Sequence, residues 1–145
     1  LTVHGRTRSM LYTGVADWHT IAKVKQQLSI PVIANGDIKS SNDLYAAESL
    51  GYSGVMIGRA LMGRPWGLAE IIGNVPPSDV AGVVLRHLEY ALEYYGEQTA
   101  VPMFRKHAAW YSAGMKNSSE FRIKVNQISD SNLLKVAIRE FWGII

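Results

Sequence analysis

The sequence predicts an α/β fold in the first half of the chain and an all-helical fold in the second half. Up to about residue 73, short apolar runs alternate with glycine-containing polar turns and then with helical patterns, an order typical of β/α units. After residues 73–77, which include two consecutive prolines, the alternation ends and every segment has a helical pattern. We therefore expect one domain over residues 1–75 and a second over residues 76–145.

Three apolar runs predict the strands of a parallel sheet, over residues 1–4, 30–34 and 54–57. None of these runs alternates with polar residues, which suits a parallel sheet covered by helices. Before the third strand, residues 40–42 offer N-caps for a helix that Gly51 would end. Three β/α units do not close a sheet. We therefore expect partner strands from a missing N-terminal half of the protein or from another chain.

Four helices are predicted after the domain boundary. The first carries an apolar stripe that ends before Gly96, and the second has Pro102 in its first turn, where a missing N–H does no harm. A serine at 118 or 119 would cap the third helix, and Asp130 or Ser131 would cap the fourth. Helices of this number and length, joined by short loops, predict a four-helix bundle.

Composition limits the function classes. The 145 residues are 48% hydrophobic, enough for a globular core, and include no cysteine, which excludes disulfides and thiolate metal sites. No apolar run reaches the roughly 18 to 20 residues that a membrane span needs, and the four histidines are too scattered to suggest a metal site. We expect a cytoplasmic protein with neither membrane nor metal, whose redox chemistry would need a cofactor. The first residues lack an initiator Met and lead directly into a strand, so we treat the chain as a fragment.

Glycines and polar side chains follow each predicted strand, as His4-Gly5-Arg6-Thr7-Arg8, Asn35-Gly36-Asp37 and Gly58-Arg59. In a β/α barrel, cofactor-binding groups lie at the strand ends, and the loops after the last two strands commonly hold a phosphate. Gly36 and Gly58 would let backbone N–H groups approach an anion, and Arg59 can donate a planar fork to its oxygens. These glycines could instead simply end the strands, with Arg59 a surface charge. The same character at three successive strand ends favours a phosphate site.

The side chains beside these glycines each have two interpretations. His4 could bond to a ring-shaped ligand or be a core histidine satisfied by the backbone. Asn35 and Asp37 would point to the same side and could bind the polar edges of a ligand, or they could serve the turn by bonding to local backbone. Arg6 and Arg8 lie past the strand, where they could face a polyanion or be solvated loop charges.

The second half contains a basic stretch. Residues 101–126 hold five cationic residues and one acidic residue, with four aromatic residues among them. Cations with aromatic and amide neighbours suit contacts with an RNA backbone and exposed bases, and residues four apart share one helix face. The RNA-binding candidates are Arg105, Lys106, His107, Arg122 and Asn126. The alternative is an ordinary solvated face above core aromatics, and the net charge of the chain is only +3.

Several motifs occur in an order and spacing that resembles the tRNA-dihydrouridine synthases. In the first half they are His4-Gly5-Arg6-Thr7-Arg8, Ala16-Asp17-Trp18, Ile30 to Ile38, Met56 to Arg59 and Gly63-Arg64-Pro65-Trp66. In the second half they are Phe104 to His107, Trp110-Tyr111 and Phe121 to Asn126. The resemblance covers nearly the whole chain. It implies the C-terminal part of a TIM (β/α)8 barrel followed by a four-helix bundle that binds tRNA.

The resemblance further implies an enzyme that uses FMN and NADPH to reduce the C5–C6 double bond of particular tRNA uridines. The flavin would then be bound by His4, Asn35, Gly36, Asp37, Gly58 and Arg59. The basic candidates named above, together with Arg6 and Arg8, would contact tRNA. The family's general acid is a cysteine in the earlier half, so this chain alone should be inactive. Two alternatives remain: a flavin barrel oxidoreductase acting on a small molecule, and a noncatalytic RNA-binding fragment.

Overall fold

The structure is a computed structural model that describes residues 1–144, and the chain divides into two compact units. Unit 1 comprises Leu1–Leu61 and Pro65–Pro76. Unit 2 comprises Met62–Arg64 and the chain from Pro77 onward. The main passage from one unit to the other therefore lies between two prolines.

Unit 1 contains a mixed α/β arrangement built on a small parallel sheet. The strands are β1 (Thr2–His4), β2 (Ile33–Asn35) and β3 (Gly54–Met56), in the order β1-β2-β3. The second strand begins three residues later than predicted, because exposed Pro31 has no N–H to donate and the ladder starts where Ile33 donates to the Leu1 carbonyl at 2.8 Å.

The helices of unit 1 are α1 (Trp18–Gln26), α2 (Ser41–Ser49) and α3 (Gly67–Ile71). The side chain of Asp17 caps α1 by accepting the Thr20 N–H, and the Ser40 hydroxyl caps α2. Gly51, in the left-handed region with φ 76°, follows the end of α2 as expected. One cluster of buried residues in this unit consists of Ile21, Val32 and Ala34, with Val3, Trp18 and Tyr52 packed against it.

Unit 2 contains the four helices that the sequence predicts. They are α4 (Val80–Tyr95), α5 (Glu97–Tyr111), α6 (Ser118–Asn126) and α7 (Ser131–Trp142). Each contributes fully or almost fully buried side chains to one core: Val84, Leu88, Phe104, Ala108, Phe121, Val125, Leu134 and Ile138. That these four helices form a four-helix bundle stays a prediction.

Two details of these helices differ from the sequence-based expectation. Pro102 is in the interior of α5, because the helix already begins after Gly96, whose φ of 72° marks the turn. Asn117, in the left-handed conformation with φ 60°, precedes α6 in place of a capping serine. The fourth cap is as expected, since the Asp130 side chain accepts the Leu133 N–H at 2.9 Å.

Within residues 1–144, no helix is both long and apolar enough to cross a bilayer. The same residues contain no cluster of three or more His, Cys, Asp or Glu side chains placed to hold a metal ion.

Candidate cofactor site at the carboxyl edge of the sheet

The sheet register brings the three strand ends together. His4 pairs with Asn35, and Asn35 pairs with Met56, so all three strands reach the same edge at the same level. The edge is joined by hydrogen bonds: the Gly5 N–H donates to the Asn35 carbonyl at 2.9 Å, and Asn35 Nδ2 donates to the Met56 carbonyl at 2.9 Å. The three strand ends therefore lie side by side at one edge of the sheet in unit 1.

The imidazole of His4 is exposed at this edge and held in one orientation. Its Nδ1 accepts the backbone N–H of Arg6 at 3.0 Å. A ring nitrogen that accepts carries no proton, so the neutral ring has its proton on Nε2. His4 therefore presents an N–H donor at Nε2.

Gly36 lies directly beside this ring. Its φ is 111°, and a Cβ placed on it would lie 3.1 Å from His4 Cε1 and 2.9 Å from Ala16 Cβ. Only glycine combines this backbone conformation with such close neighbours. The Gly36 carbonyl accepts the indole N–H of Trp18 at 2.9 Å, which fixes the turn from the other side.

Gly58 and Arg59 form the open part of the edge. Gly58 is exposed, and no atom lies within 4 Å of the position that its Cβ would take. Arg59 begins a single 3-10 turn, Arg59–Leu61, and its guanidinium lies over the Tyr12 ring at 4.4 Å from the centroid. Both side chains are exposed, so the guanidinium is oriented by the ring but still accessible to an anion.

Arg6, in contrast, does not face the solvent. Its side chain is only 6% exposed and forms an ion pair with Asp37, whose side chain is 28% exposed. The expectation that Arg6 faces a polyanion is thus not what the structure shows. Asp37 also accepts the Ala16 N–H at 2.7 Å, so its carboxylate serves the loops rather than an open ligand site. Asp37 therefore bonds to residues distant in the sequence rather than to the backbone of its own turn, and these contacts occupy its carboxylate.

The electrostatics keep Asp37 charged. Partial burial is the strongest single influence and by itself would raise the pKa of Asp37. Hydrogen bonds from Ala16 and Arg6, with the positive charges of Arg6 and Arg59, outweigh it and hold the pKa below its ordinary value of 3.8.

A cavity of about 990 Å³ opens beside Arg6 and Asp37, lined also by Trp18, Asp43 and Leu50. Asn35, Gly58 and Arg59 do not line it. Size alone would favour this cavity as a ligand site. We place the candidate site at the strand edge instead, because the accessible donors converge there.

The candidate RNA-binding residues differ in their accessibility. Arg8, Lys106, Arg122 and Asn126 are exposed. Arg122 donates within its own helix, from Nε to the Ser118 carbonyl at 3.1 Å. These four side chains are open to a partner.

The other two candidates in unit 2 are engaged in packing. Arg105 is half-buried, and its Nη2 donates to the Ile128 carbonyl at 2.8 Å, which ties α5 to the end of α6. The His107 ring lies edge-on to the rings of His87 and Trp110, with centroids 4.7 and 5.2 Å away. Burial, followed by the charges of His87 and Lys106, lowers the pKa of His107. Both residues therefore have structural roles that the sequence pattern did not indicate.

Sequence reasoning also missed Tyr12 as part of the site. The residue is 74% exposed, and its ring lies under the guanidinium of Arg59. A large aromatic residue in a polar loop is a weak signal, and the contact joins segments far apart in the sequence.

Comparisons with known proteins place these motifs in one family. A family model described as dihydrouridine synthase (Dus) matches residues 1–140. A probable tRNA-dihydrouridine synthase of Rickettsia conorii is 43% identical, over 98% of this chain and 46% of that protein. The corresponding protein of Rickettsia bellii is 44% identical, over 98% and 47%. The tRNA-dihydrouridine synthase B of Pseudomonas aeruginosa is 40% identical, over 99% and 46%. The chain thus spans about half the length of the curated relatives it matches.

Proposed function

This chain belongs to the dihydrouridine synthase family, and from that premise we propose that it forms the C-terminal part of a flavin-dependent tRNA-dihydrouridine synthase. The complete enzyme reduces the C5–C6 double bond of specific uridines in tRNA, with FMN as cofactor and NADPH as reductant. The observation that carries the proposal is that the three strand ends leading to His4, Gly36 and Arg59 lie together at one edge of a parallel sheet.

The residues at this edge fit an FMN group. Gly58 leaves an open approach to its backbone, and the accessible guanidinium of Arg59 matches phosphate oxygens in charge and geometry. His4 offers its Nε2–H to an acceptor, and the Gly36 backbone is free of a side chain. Asn35 lies between them, held by its bond to the Met56 carbonyl. We assign the phosphate end to Gly58 and Arg59, and the remaining contacts to His4, Asn35 and Gly36.

When bound, the flavin would supply the electron pair that reduces the uracil ring. The contribution of this chain is to bind and orient. Arg59 neutralises phosphate charge, and the Nε2–H of His4 stabilises negative charge on an acceptor atom at the edge. Asp37 acts indirectly, by holding the loops through Arg6 and Ala16.

The tRNA substrate is bound by exposed basic and amide side chains. In unit 2 these are Lys106, Arg122 and Asn126, of which the last two are four residues apart on α6. In unit 1, Arg8 lies in a short 3-10 turn just past β1. Cations of this kind contribute sequence-independent affinity for the phosphate backbone.

Further strands complete the sheet in this proposal. Three parallel strands with intervening helices are compatible with part of a TIM barrel. Apolar side chains at the sheet remain exposed, including Leu1 at 56% and Met56 at 54%. The other β/α units, from the N-terminal half of the protein or from a partner chain, would cover them.

The test uses the complete gene product that carries this chain. We expect it to copurify with flavin and to restore dihydrouridine, measured by mass spectrometry of tRNA nucleosides, in cells that lack their own dihydrouridine synthases. Bound flavin with neither dihydrouridine nor tRNA binding would point to a small-molecule oxidoreductase. Binding of tRNA without flavin would point to a noncatalytic RNA-binding protein. Either result would refute the proposal.

A further inference from the structure

The buried guanidinium of Arg6 joins three separate segments of unit 1. Its Nε donates to the Thr13 carbonyl at 3.1 Å, and its Nη2 donates to the Gly14 carbonyl at 2.8 Å. The same Nη2 lies 2.8 Å from each carboxylate oxygen of Asp37. One side chain thus connects the loop after β1, the segment before α1 and the turn after β2.

The backbone of the same residue holds His4. The Arg6 N–H donates to His4 Nδ1 at 3.0 Å, and the intervening Gly5 is fixed on both sides. Its N–H donates to the Asn35 carbonyl, and its carbonyl accepts the Asp17 N–H at 2.8 Å. A Cβ on Gly5 would lie 2.8 Å from Asp17 N. The backbone from His4 to Arg6 is therefore held at Gly5 by backbone hydrogen bonds and at Arg6 by the anchored side chain.

Burying the Arg6 guanidinium costs free energy, which is unfavourable if the turn serves only the stability of the fold. Arg6 is 6% exposed, and the described residues provide no hydrogen-bond partner for its buried Nη1. Taking the guanidinium of Arg6 out of water costs free energy that its partly exposed partner offsets only in part. Asp37 is also held at φ 59°, an uncommon conformation for a residue other than glycine. Buried charge and backbone strain together indicate that the geometry itself is what these residues provide.

We infer that Arg6 is a positioning residue of the cofactor site, which with Asp37 holds the His4 imidazole in the Nε2–H form beside Gly36. This inference rests on the proposed function, since the orientation of His4 matters only if a cofactor occupies the edge. In this inference Arg6 does not contact tRNA, and Asp37 does not contact the cofactor directly. The ligand class is a neutral or anionic hydrogen-bond acceptor on the flavin.

The test compares Arg6→Lys with Arg8→Lys in the complete gene product. Both variants keep the charge, and Arg8 is an exposed residue of the same loop, so it serves as the matched control. Lysine cannot reach the Thr13, Gly14 and Asp37 acceptors together. The two measurements are the His4 ring tautomer, from nitrogen-15 NMR assigned with His4→Gln, and the FMN dissociation constant.

We expect the unmodified protein and Arg8→Lys to show the Nε2–H tautomer of His4. Arg6→Lys should show a mixture of tautomers and an FMN dissociation constant raised about tenfold, as for other groups that orient a binding side chain. If circular dichroism shows that Arg6→Lys does not fold, Asp37→Asn takes its place, because asparagine suits the left-handed conformation. The same changes in tautomer and FMN dissociation constant are then expected of Asp37→Asn.

Two results overturn the inference. One is an unchanged His4 tautomer with FMN affinity within about twofold of the unmodified protein, which would leave the proposed function intact. The other is an equal effect of Arg8→Lys. Absence of FMN binding by the unmodified protein would instead refute the proposed function, and the His4 tautomer would still report whether Arg6 positions the ring.

Discussion

Replacing Gly36 with alanine tests whether the packing around His4 is as close as the structure shows. A Cβ at this position would lie 2.9 Å from Ala16 Cβ and 3.1 Å from His4 Cε1, and alanine would have to adopt a φ of 111°. Gly73→Ala is the matched control. Gly73 has a similar φ of 94°, but nothing lies within 4 Å of its added Cβ.

The expected loss of stability has two contributions, backbone strain and overpacking. Both variants carry backbone strain of about 1–3 kcal/mol. Only Gly36→Ala adds overpacking, which costs about a further 1–3 kcal/mol. We therefore expect Gly36→Ala to destabilise unit 1 by about 1–3 kcal/mol more than Gly73→Ala, equivalent to roughly a 5- to 150-fold difference in amide exchange. Gly36→Ala should also weaken FMN binding, because it displaces the His4 ring.

The assay is native-state hydrogen exchange at the Gly5 amide, which bridges β1 and β2 through the Asn35 carbonyl. Urea denaturation of the complete gene product gives the overall change in unfolding free energy. Equal destabilisation by the two substitutions would refute the close packing of Gly36 against His4 and Ala16.

Three further predictions concern unit 2. Burial lowers the pKa of both His87 and His107 below the ordinary 6.5. As the pH falls below 6.5, the unfolded chain therefore binds protons that the folded rings do not, and stability falls between pH 7 and 5. A melting temperature that stays constant or rises over this range would contradict this expectation. Phe104 is fully buried, so Phe104→Ala should lower the free energy of unfolding by about 3–5 kcal/mol in urea denaturation; a cost below about 1 kcal/mol would show that α5 is not packed as described. Arg122→Ala should weaken tRNA binding in filter assays and reduce its salt dependence by about one phosphate contact, without changing flavin content. An identical loss with Arg139→Ala, an exposed arginine on α7, would argue against a specific role of Arg122.

Local signals account for the parts of the fold that the sequence predicted well. Ser40 and Asp130 cap their helices because the N–H that each accepts lies only three residues away. The parallel register that brings His4 beside Asn35 follows from the β/α order itself.

The sequence did not indicate the roles of two arginines, whose partners are distant in the chain, or the start of α5. From the sequence, Arg6 resembles a solvated loop charge, whereas in the structure it pairs with Asp37, 31 residues away. Arg105 finds a backbone carbonyl 23 residues away, at Ile128. Pro102 is an exposed residue inside α5 rather than in its first turn, because the helix already begins after Gly96. Neither hydrophobic periodicity nor a local motif predicts contacts between residues so far apart in the sequence.

We propose that Arg59 binds a phosphate at the sheet edge, and the affinities for FMN and riboflavin measure this contact. The two ligands differ only in the phosphate, so the effect of Arg59→Ala on each isolates that group. A charge-assisted bond contributes about 1.5–3 kcal/mol, so FMN affinity should fall roughly 10- to 150-fold. Riboflavin affinity should stay the same, and the exposed Arg8→Ala control should change neither. Equal losses for both flavins, or no loss for FMN, would show that Arg59 does not bind the phosphate.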